Sequence, residues 1–182
     1  MKVLQIVDSK DYITSNCYQH QLHKALKNAS DLTLCNLSEL QRIDIEKYDS
    51  IISTLKMRSV FKHTDQIAKK IGNRKITIYD QDPWESFREG GACINAYDIA
   101  ASKMNVRFIV TTPWWIDYLR EKKFNVSLVN MGVLPEYCSN TPELSSRNIN
   151  VGFIGSLHSH RQDFLAAIQQ HHDVNIISSS NK

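Results

Sequence analysis

Short apolar runs alternate with helix-like patterns along the whole chain. Runs rich in β-branched and other apolar residues predict strands at 3–7, 32–34, 50–55, 75–79, 107–111, 126–129, 150–154 and 174–177. Apolar residues at three- and four-residue spacing predict helices at 18–26, 57–71, 93–104, 114–123 and 161–170. Gly72 and Pro113 sit where a helix end and a helix start favour them. Strands and helices therefore alternate from one end of the chain to the other.

This alternation predicts the fold class. Consecutive strands separated by helices need crossover connections, which place the strands parallel and cover both faces of the sheet. We therefore expect an α/β fold with a doubly wound, mainly parallel, Rossmann-like sheet.

A change of composition after residue 131 predicts two domains. The stretch 132–148 holds Pro135, Pro142 and many polar residues, as connectors do. We expect residues 1–147 to form a Rossmann-like domain and residues 148–182 to be the first β-α-β unit of a second one. A single unit cannot bury both faces of its strands, so this second domain looks truncated. In the alternative, these strands extend the first sheet of a complete small protein.

Charge and composition exclude several classes of function. The 22 basic and 19 acidic residues leave a net charge of +3, and both signs are mixed along the chain, so no nucleic acid partner is expected. No apolar run approaches the roughly 18 residues of a membrane span, and the N-terminus lacks a signal-peptide pattern. We expect a cytoplasmic protein with, at most, peripheral contact to a membrane. Its oligomeric state is not predicted.

The cysteines and histidines do not predict a metal site. The four cysteines are widely spaced, without a CxxC pair, and are interpreted as reduced thiols. His158 and His160, like His171 and His172, lack companion ligands at metal-binding spacing. We expect no bound metal.

Polar residues after the fourth predicted strand are candidates for chemistry. Ligands of doubly wound sheets bind beyond the carboxyl ends of the strands, where Asp80 and Asp82 follow. Either carboxylate suits hydrogen bonding to sugar hydroxyls or general base catalysis, and Trp84 offers a flat apolar face. The alternative is that an aspartate caps the next turn while Trp84 packs in the core.

Other candidates follow the first, third and seventh predicted strands. Ser15 and Asn16 are candidates for substrate contact, with helix capping as the simpler interpretation, and Arg58 is a candidate or a solvated helix start. Gly155, Ser156 and Arg161 lead into a helix, where small residues, amide groups and a guanidinium suit a diphosphate. A tight turn with a solvated arginine explains the same residues.

The order of these signals resembles the group 1 superfamily of GT-B glycosyltransferases. The likeness covers nearly the whole chain by order of elements, and four short segments carry it: 110–113, 129–136, 150–156 and Arg161. The segment 129–136, Val-Asn-Met-Gly-Val-Leu-Pro-Glu, is similar to the "NGVDPE"-type segment that ends the first domain of that family. Segment 150–156 resembles the strand and glycine turn that open the second domain. Arg161 matches the basic residue that grips the donor diphosphate.

Three departures limit what the resemblance implies. Thr14, Ser15 and Asn16 stand where the family usually has a glycine pair, and Ser156 replaces its first basic residue of the second domain. Asp80 stands near the place where many relatives carry a histidine. Neither a retaining nor an inverting reaction is therefore predicted.

The resemblance implies transfer of a sugar from a nucleotide-sugar donor to a glycan, lipid or protein acceptor. No cofactor other than this donor substrate is expected, and the identities of donor and acceptor are not predicted. The acidic motif that binds the donor sugar in the family lies outside this chain, so we expect the 182-residue chain to transfer no sugar alone. The alternatives are a non-catalytic flavodoxin-like or receiver-like domain, or a glycosyltransferase-like scaffold without activity.

Overall fold

The computed structural model describes residues 1–10, 18–81, 83, 95–129, 146, 151–154, 157 and 159–177. The chain divides into two compact units, Met1–Leu134 and Pro135–Lys182. The expected boundary between residues 147 and 148 stays a prediction because 130–145 and 147–150 lie outside the described residues.

The first unit contains a six-stranded parallel sheet with helices between its strands. The strands are β1 (Lys2–Val7), β2 (Asp31–Asn36), β3 (Ser50–Ser53), β4 (Ile76–Asp80), β5 (Val106–Val110) and β6 (Val126–Leu128). The helices are α1 (Tyr18–Ala29), α2 (Leu37–Leu40), α3 (Met57–Ile71), α4 (Ala96–Lys103) and α5 (Ile116–Glu121), with 3-10 turns at Ile45–Lys47 and Pro113–Trp115. The strand order is β2-β1-β3-β4-β5-β6. The predicted α/β, doubly wound parallel sheet is confirmed.

One face of this sheet carries the main hydrophobic core. Side chains alternate between the faces of a strand, and the register aligns Leu4 with Ile51 and Ile51 with Ile76 on the same face. These residues share one buried cluster with residues of α3, α4 and α5. Gln5 points to the opposite face, where it contacts His23 of α1. The sheet is therefore covered by α1 on one side and by the later helices on the other.

Local sequence explains how individual helices form and end. Helix α3 buries Met57, Val60, Thr64, Ile67 and Ile71, the amphipathic spacing that predicted it. It ends at Ile71 and is followed by Gly72, whose φ of 57° is accessible to glycine without strain. Helix α2 was not predicted. Its single turn depends on a reciprocal cap in which Asn36 accepts from the Glu39 amide at 3.0 Å and Glu39 accepts from the Asn36 amide at 3.1 Å.

The second unit contains a β-α-β element. Strand β7 (Val151–Ile154) is followed by α6 (Ser159–Gln169) and β8 (Val174–Ile177), and β7 pairs with β8 in parallel. Leu165 of α6 and Val174 of β8 are buried. Among the described residues, these two strands form a sheet of their own instead of extending the first sheet.

Cysteine chemistry in the described residues is that of a buried thiol. Cys35 of β2 is free and buried, and burial, followed by the nearby Glu39 charge, raises its pKa to about 12. A thiol of this kind stays protonated at neutral pH and is a poor nucleophile. Cys17, Cys93 and Cys138 lie outside the described residues.

No helix in the described ranges is long and apolar enough to cross a membrane.

Candidate functional site

The strand order creates a switch point between β1 and β3. From β1 the chain crosses to β2 on one side of the sheet, whereas β3 pairs with β1 on the other side. Crevices at the carboxyl ends of such strands are where doubly wound sheets bind ligands. At this point Asp8 Oδ2 accepts a hydrogen bond from the Lys56 amide at 2.8 Å, next to the start of α3. Asp8 thereby ties the segment after β1 to the segment after β3.

A buried chain of hydrogen bonds lies beneath the switch point. Gln5 of β1 is fully buried, and its Nε2 donates to Thr54 Oγ1 at 3.2 Å. Thr54 Oγ1 in turn donates to the Ile6 carbonyl at 3.4 Å. His23 Nδ1 lies 2.9 Å from Gln5 Oε1, and because that oxygen only accepts, the ring nitrogen donates. The network satisfies polar groups whose unpaired burial would be costly. It links α1 to β1 and to the segment directly after β3.

The position of His23 predicts a loss of stability in mild acid. Burial first, then the charges of Lys27 and His20, lower the pKa of His23 below 6.5. As pH falls through 6.5, the unfolded chain therefore takes up a proton before the folded chain does. The free energy of unfolding decreases until the folded-state pKa is passed. We expect His23→Gln to flatten this part of the stability profile, measured by urea unfolding from pH 7.5 to 5.

The control for the removal of a histidine is His171→Gln, on an exposed residue after α6. A His23→Gln profile as steep as that of the wild-type protein would contradict the role of His23.

Asp80, at the carboxyl end of β4, is a buried carboxylate. Its exposed fraction is 5%, and Asp80 Oδ2 accepts a hydrogen bond from Tyr97 Oη at 2.7 Å. Tyr97 of α4 is fully buried, and its ring centroid lies 4.5 Å from that of Phe108. Burial, reinforced by the Asp80 charge and this hydrogen bond, raises the pKa of Tyr97 far above its usual range. The phenol therefore remains a donor, and the bond anchors the end of β4 to α4.

Two of the predicted site residues of the first unit are described. Asp80 ends β4, and Arg58 is the exposed second residue of α3, beyond the neighbouring strand β3. Asp80 and Arg58 therefore lie at and beyond the carboxyl ends of two adjacent strands. Their roles stay predictions.

Of the other predicted site residues, the structure describes only Arg161. Ser15, Asn16, Asp82, Trp84, Gly155 and Ser156 lie outside the described residues. Arg161 belongs to the second unit, where it is exposed in the first turn of α6. A diphosphate at this turn stays a prediction. Among the described residues, no group of three or more His, Cys, Asp and Glu side chains is arranged to hold a metal ion.

The sequence interpretation missed the polar network and the partner of Asp80. Gln5 is the one polar residue inside the apolar run 3–7, which is a signal of a buried amide that needs partners. His23 lies within the predicted helix 18–26, and its contact with Gln5, 18 positions away in the sequence, carries no local signal. Tyr97 carries no local signal, because its partner lies 17 positions away in the sequence.

A further feature at the carboxyl ends of the strands is an exposed tryptophan beyond β5. Trp114 is 86% exposed, and it belongs to the 3-10 turn Pro113–Trp115. Thr111 Oγ1 donates to the Gln81 carbonyl at 2.8 Å, which joins the segment after β5 to the segment after β4. Trp114 therefore lies on the same edge of the sheet as Asp80.

Comparisons with protein-family models, with curated proteins and with solved structures found no match to this chain.

Proposed function

We propose that this chain is the acceptor-side part of a glycosyltransferase that uses a nucleotide-sugar donor. The observation that supports this most is the separate β-α-β element after the six-stranded parallel sheet. Two successive Rossmann-like elements are what the resemblance to GT-B glycosyltransferases implies. In this proposal the first unit binds the acceptor, and the second begins the donor side.

The donor side is proposed at the start of α6. Gly155 and Ser156 follow β7 directly, and the small residues would let backbone amides approach a diphosphate. Arg161 supports the proposal because its side chain is exposed in the first turn of the helix. A guanidinium in that place can donate charge-assisted hydrogen bonds to a diphosphate, in addition to the attraction of the positive end of the helix dipole for the same anion.

The acceptor side is proposed beyond β3 and β4. Because Asp80 is buried and already accepts from Tyr97, its geometry favours a positioning role over direct proton transfer. Asp82, two residues further along, keeps the proposed role of acceptor base, and Trp84 that of an apolar wall. Arg58, Ser15 and Asn16 are proposed to contact the substrate at the neighbouring strand ends.

Arg161→Ala tests the donor side. We expect calorimetric titration with uridine and guanosine diphosphates to show binding, and the substitution to weaken it by about 1.5–3 kcal/mol, the contribution of a hydrogen bond to a charged group. Arg42→Ala is the control, because Arg42 is an exposed arginine in the turn after α2. Unchanged affinity in Arg161→Ala would leave Arg161 a solvated helix residue. Absence of nucleotide binding to the wild-type chain would count against the proposed function itself.

The strand order favours a second candidate. The order β2-β1-β3-β4-β5 is that of flavodoxin-like domains, whose ligand binds at the β1/β3 switch point. A non-catalytic domain binding a flat phosphate ligand there is therefore the alternative. Titration with flavin mononucleotide separates the two, because flavin binding without binding of nucleoside diphosphates would favour it. The receiver-like variant is weaker, since Thr54, Leu55 and Lys56 after β3 include no carboxylate.

A further inference from the structure

The side chain of Trp114 is almost fully exposed to solvent, which is unusual for a tryptophan. Large aromatic side chains normally bury most of their surface, and at 86% exposure this indole is the most exposed large apolar side chain in the described residues. It also lies just beyond the carboxyl end of β5, at the edge where doubly wound sheets bind ligands. Exposure and position together indicate a binding surface.

The backbone that carries Trp114 is held in place from both sides. Pro113 begins the 3-10 turn with a restricted φ, and the preceding Thr111 side chain bonds to the segment after β4. On the other side, Trp115 packs against the hydrophobic core, and its ring contacts Tyr118 edge to face at 6.1 Å between centroids. An exposed ring on such a support loses little freedom when a ligand stacks on it.

The polar neighbours of Trp114 match the chemistry of a sugar. Asp117 and Tyr118 follow it by three and four positions in a continuous helical segment, which places them on its side of the helix. Asp117 and Arg120 form an exposed ion pair at 3.6 Å. A pyranose presents C–H groups on its faces, which suit the electron-rich face of an indole, and hydroxyl groups on its rim, which suit a carboxylate and a guanidinium.

We propose that Trp114 is a stacking platform for a pyranose ring of the acceptor, with Asp117 and Arg120 hydrogen-bonding to its hydroxyl groups. This inference rests on the proposed function, because it names a saccharide as the acceptor. The mixed charges of the segment support a sugar over an anionic lipid surface. Residues 117–123 hold two acidic and three basic side chains, a surplus of one positive charge, whereas anionic lipids attract clusters of about four to eight basic residues.

The test measures saccharide binding without any nucleotide. The labelled 182-residue chain is applied to an array of hexose, N-acetylhexosamine and deoxyhexose oligosaccharides, and the retained glycan is then titrated by calorimetry. We expect Trp114→Ala to weaken binding by about two- to tenfold, the range for one aromatic contact, and Trp114→Tyr to retain most of the affinity. Phe61→Ala is the matched control, because Phe61 is 40% exposed but lies in the second turn of α3.

Each outcome decides the inference. Glycan binding that falls in Trp114→Ala and is unchanged in Phe61→Ala supports it, even where nucleoside diphosphates do not bind and the transferase proposal fails. Absence of any retained glycan, or equal affinity of Trp114→Ala and the wild-type chain, overturns it even where nucleotides do bind. Trp114-dependent binding to phosphatidylcholine–phosphatidylglycerol vesicles, with no retained glycan, overturns it in favour of a membrane contact.

Discussion

Phe108→Ala is expected to lower the free energy of unfolding of the first unit by about 3–5 kcal/mol, the usual cost of truncating a core phenylalanine. Phe108 lies on β5 and is fully buried. Its ring centroid lies 4.5 Å from that of Tyr97 and 5.8 Å from that of Phe124. The substitution removes the shared member of these aromatic contacts and leaves a cavity between the sheet and α4. Against a total stability of about 5–15 kcal/mol for a domain, this is a large loss.

Urea unfolding followed by tryptophan fluorescence measures this effect selectively. All three tryptophans of the chain, Trp84, Trp114 and Trp115, belong to the first unit, so the signal reports its unfolding. Phe61→Ala is the control, since Phe61 is 40% exposed, and its loss should cost about 1 kcal/mol or less. Similar losses in the two variants would contradict the placement of Phe108 at the centre of the core.

The elements with strong periodicity could be predicted from the sequence. The apolar run 3–7 and the five buried positions of α3 leave little choice, because their spacing matches the period of a strand and of a helix. Helix α2 and the 3-10 turn Ile45–Lys47 were missed because each is a single turn stabilised by a local cap. Such short elements contain too few residues to show an apolar periodicity.

The strand order could not be predicted by the same means. Alternating strands and helices require parallel strands and crossovers, but several orders satisfy that requirement equally well. The choice of β3 as the second neighbour of β1 is expressed in contacts far apart in sequence, such as Gln5 with Thr54 and Asp8 with Lys56. The position of the switch point therefore becomes evident only in three dimensions.

The candidate site shows the same division. The sequence predicts Asp80 as a candidate because polar residues after a buried strand lie at the end of the sheet where ligands bind. The sequence does not indicate that the Tyr97 hydroxyl is the partner of Asp80. The hydroxyl reaches the carboxylate because α4 packs against β4 and β5. A pattern of residue types finds the place of a charged group. The partner of that group depends on how α4 packs, and the partner decides whether the carboxylate is available for catalysis or anchors the strand end.

Tyr97→Phe is expected to lower the free energy of unfolding by about 1.5–3 kcal/mol, the contribution of a hydrogen bond to a charged group. The ring remains packed on Phe108, so the loss reports the hydroxyl and the carboxylate that it leaves without this donor. Tyr118→Phe is the control, because Tyr118 is 41% exposed and keeps its ring contact with Trp115. A double-mutant cycle with Asp80→Asn isolates the charge-dependent part of the pairwise energy, expected within about 0.5–3 kcal/mol, because an asparagine amide oxygen still accepts from the Tyr97 hydroxyl.

Asp80→Asn also separates anchoring from catalysis at Asp80. If Asp80 positions the end of β4, Asp80→Asn should lower the melting temperature, while any sugar transfer by the folded fraction, tested under the proposed function, should keep its normal rate. If Asp80 is instead the acceptor base, the sugar-transfer rate should fall by about 10²–10⁴-fold with folding preserved. A rise in the acceptor KM alone would indicate hydroxyl binding. Because the carboxylate is buried and bonded to Tyr97, we expect the first result, and a full rate loss at unchanged stability would contradict it.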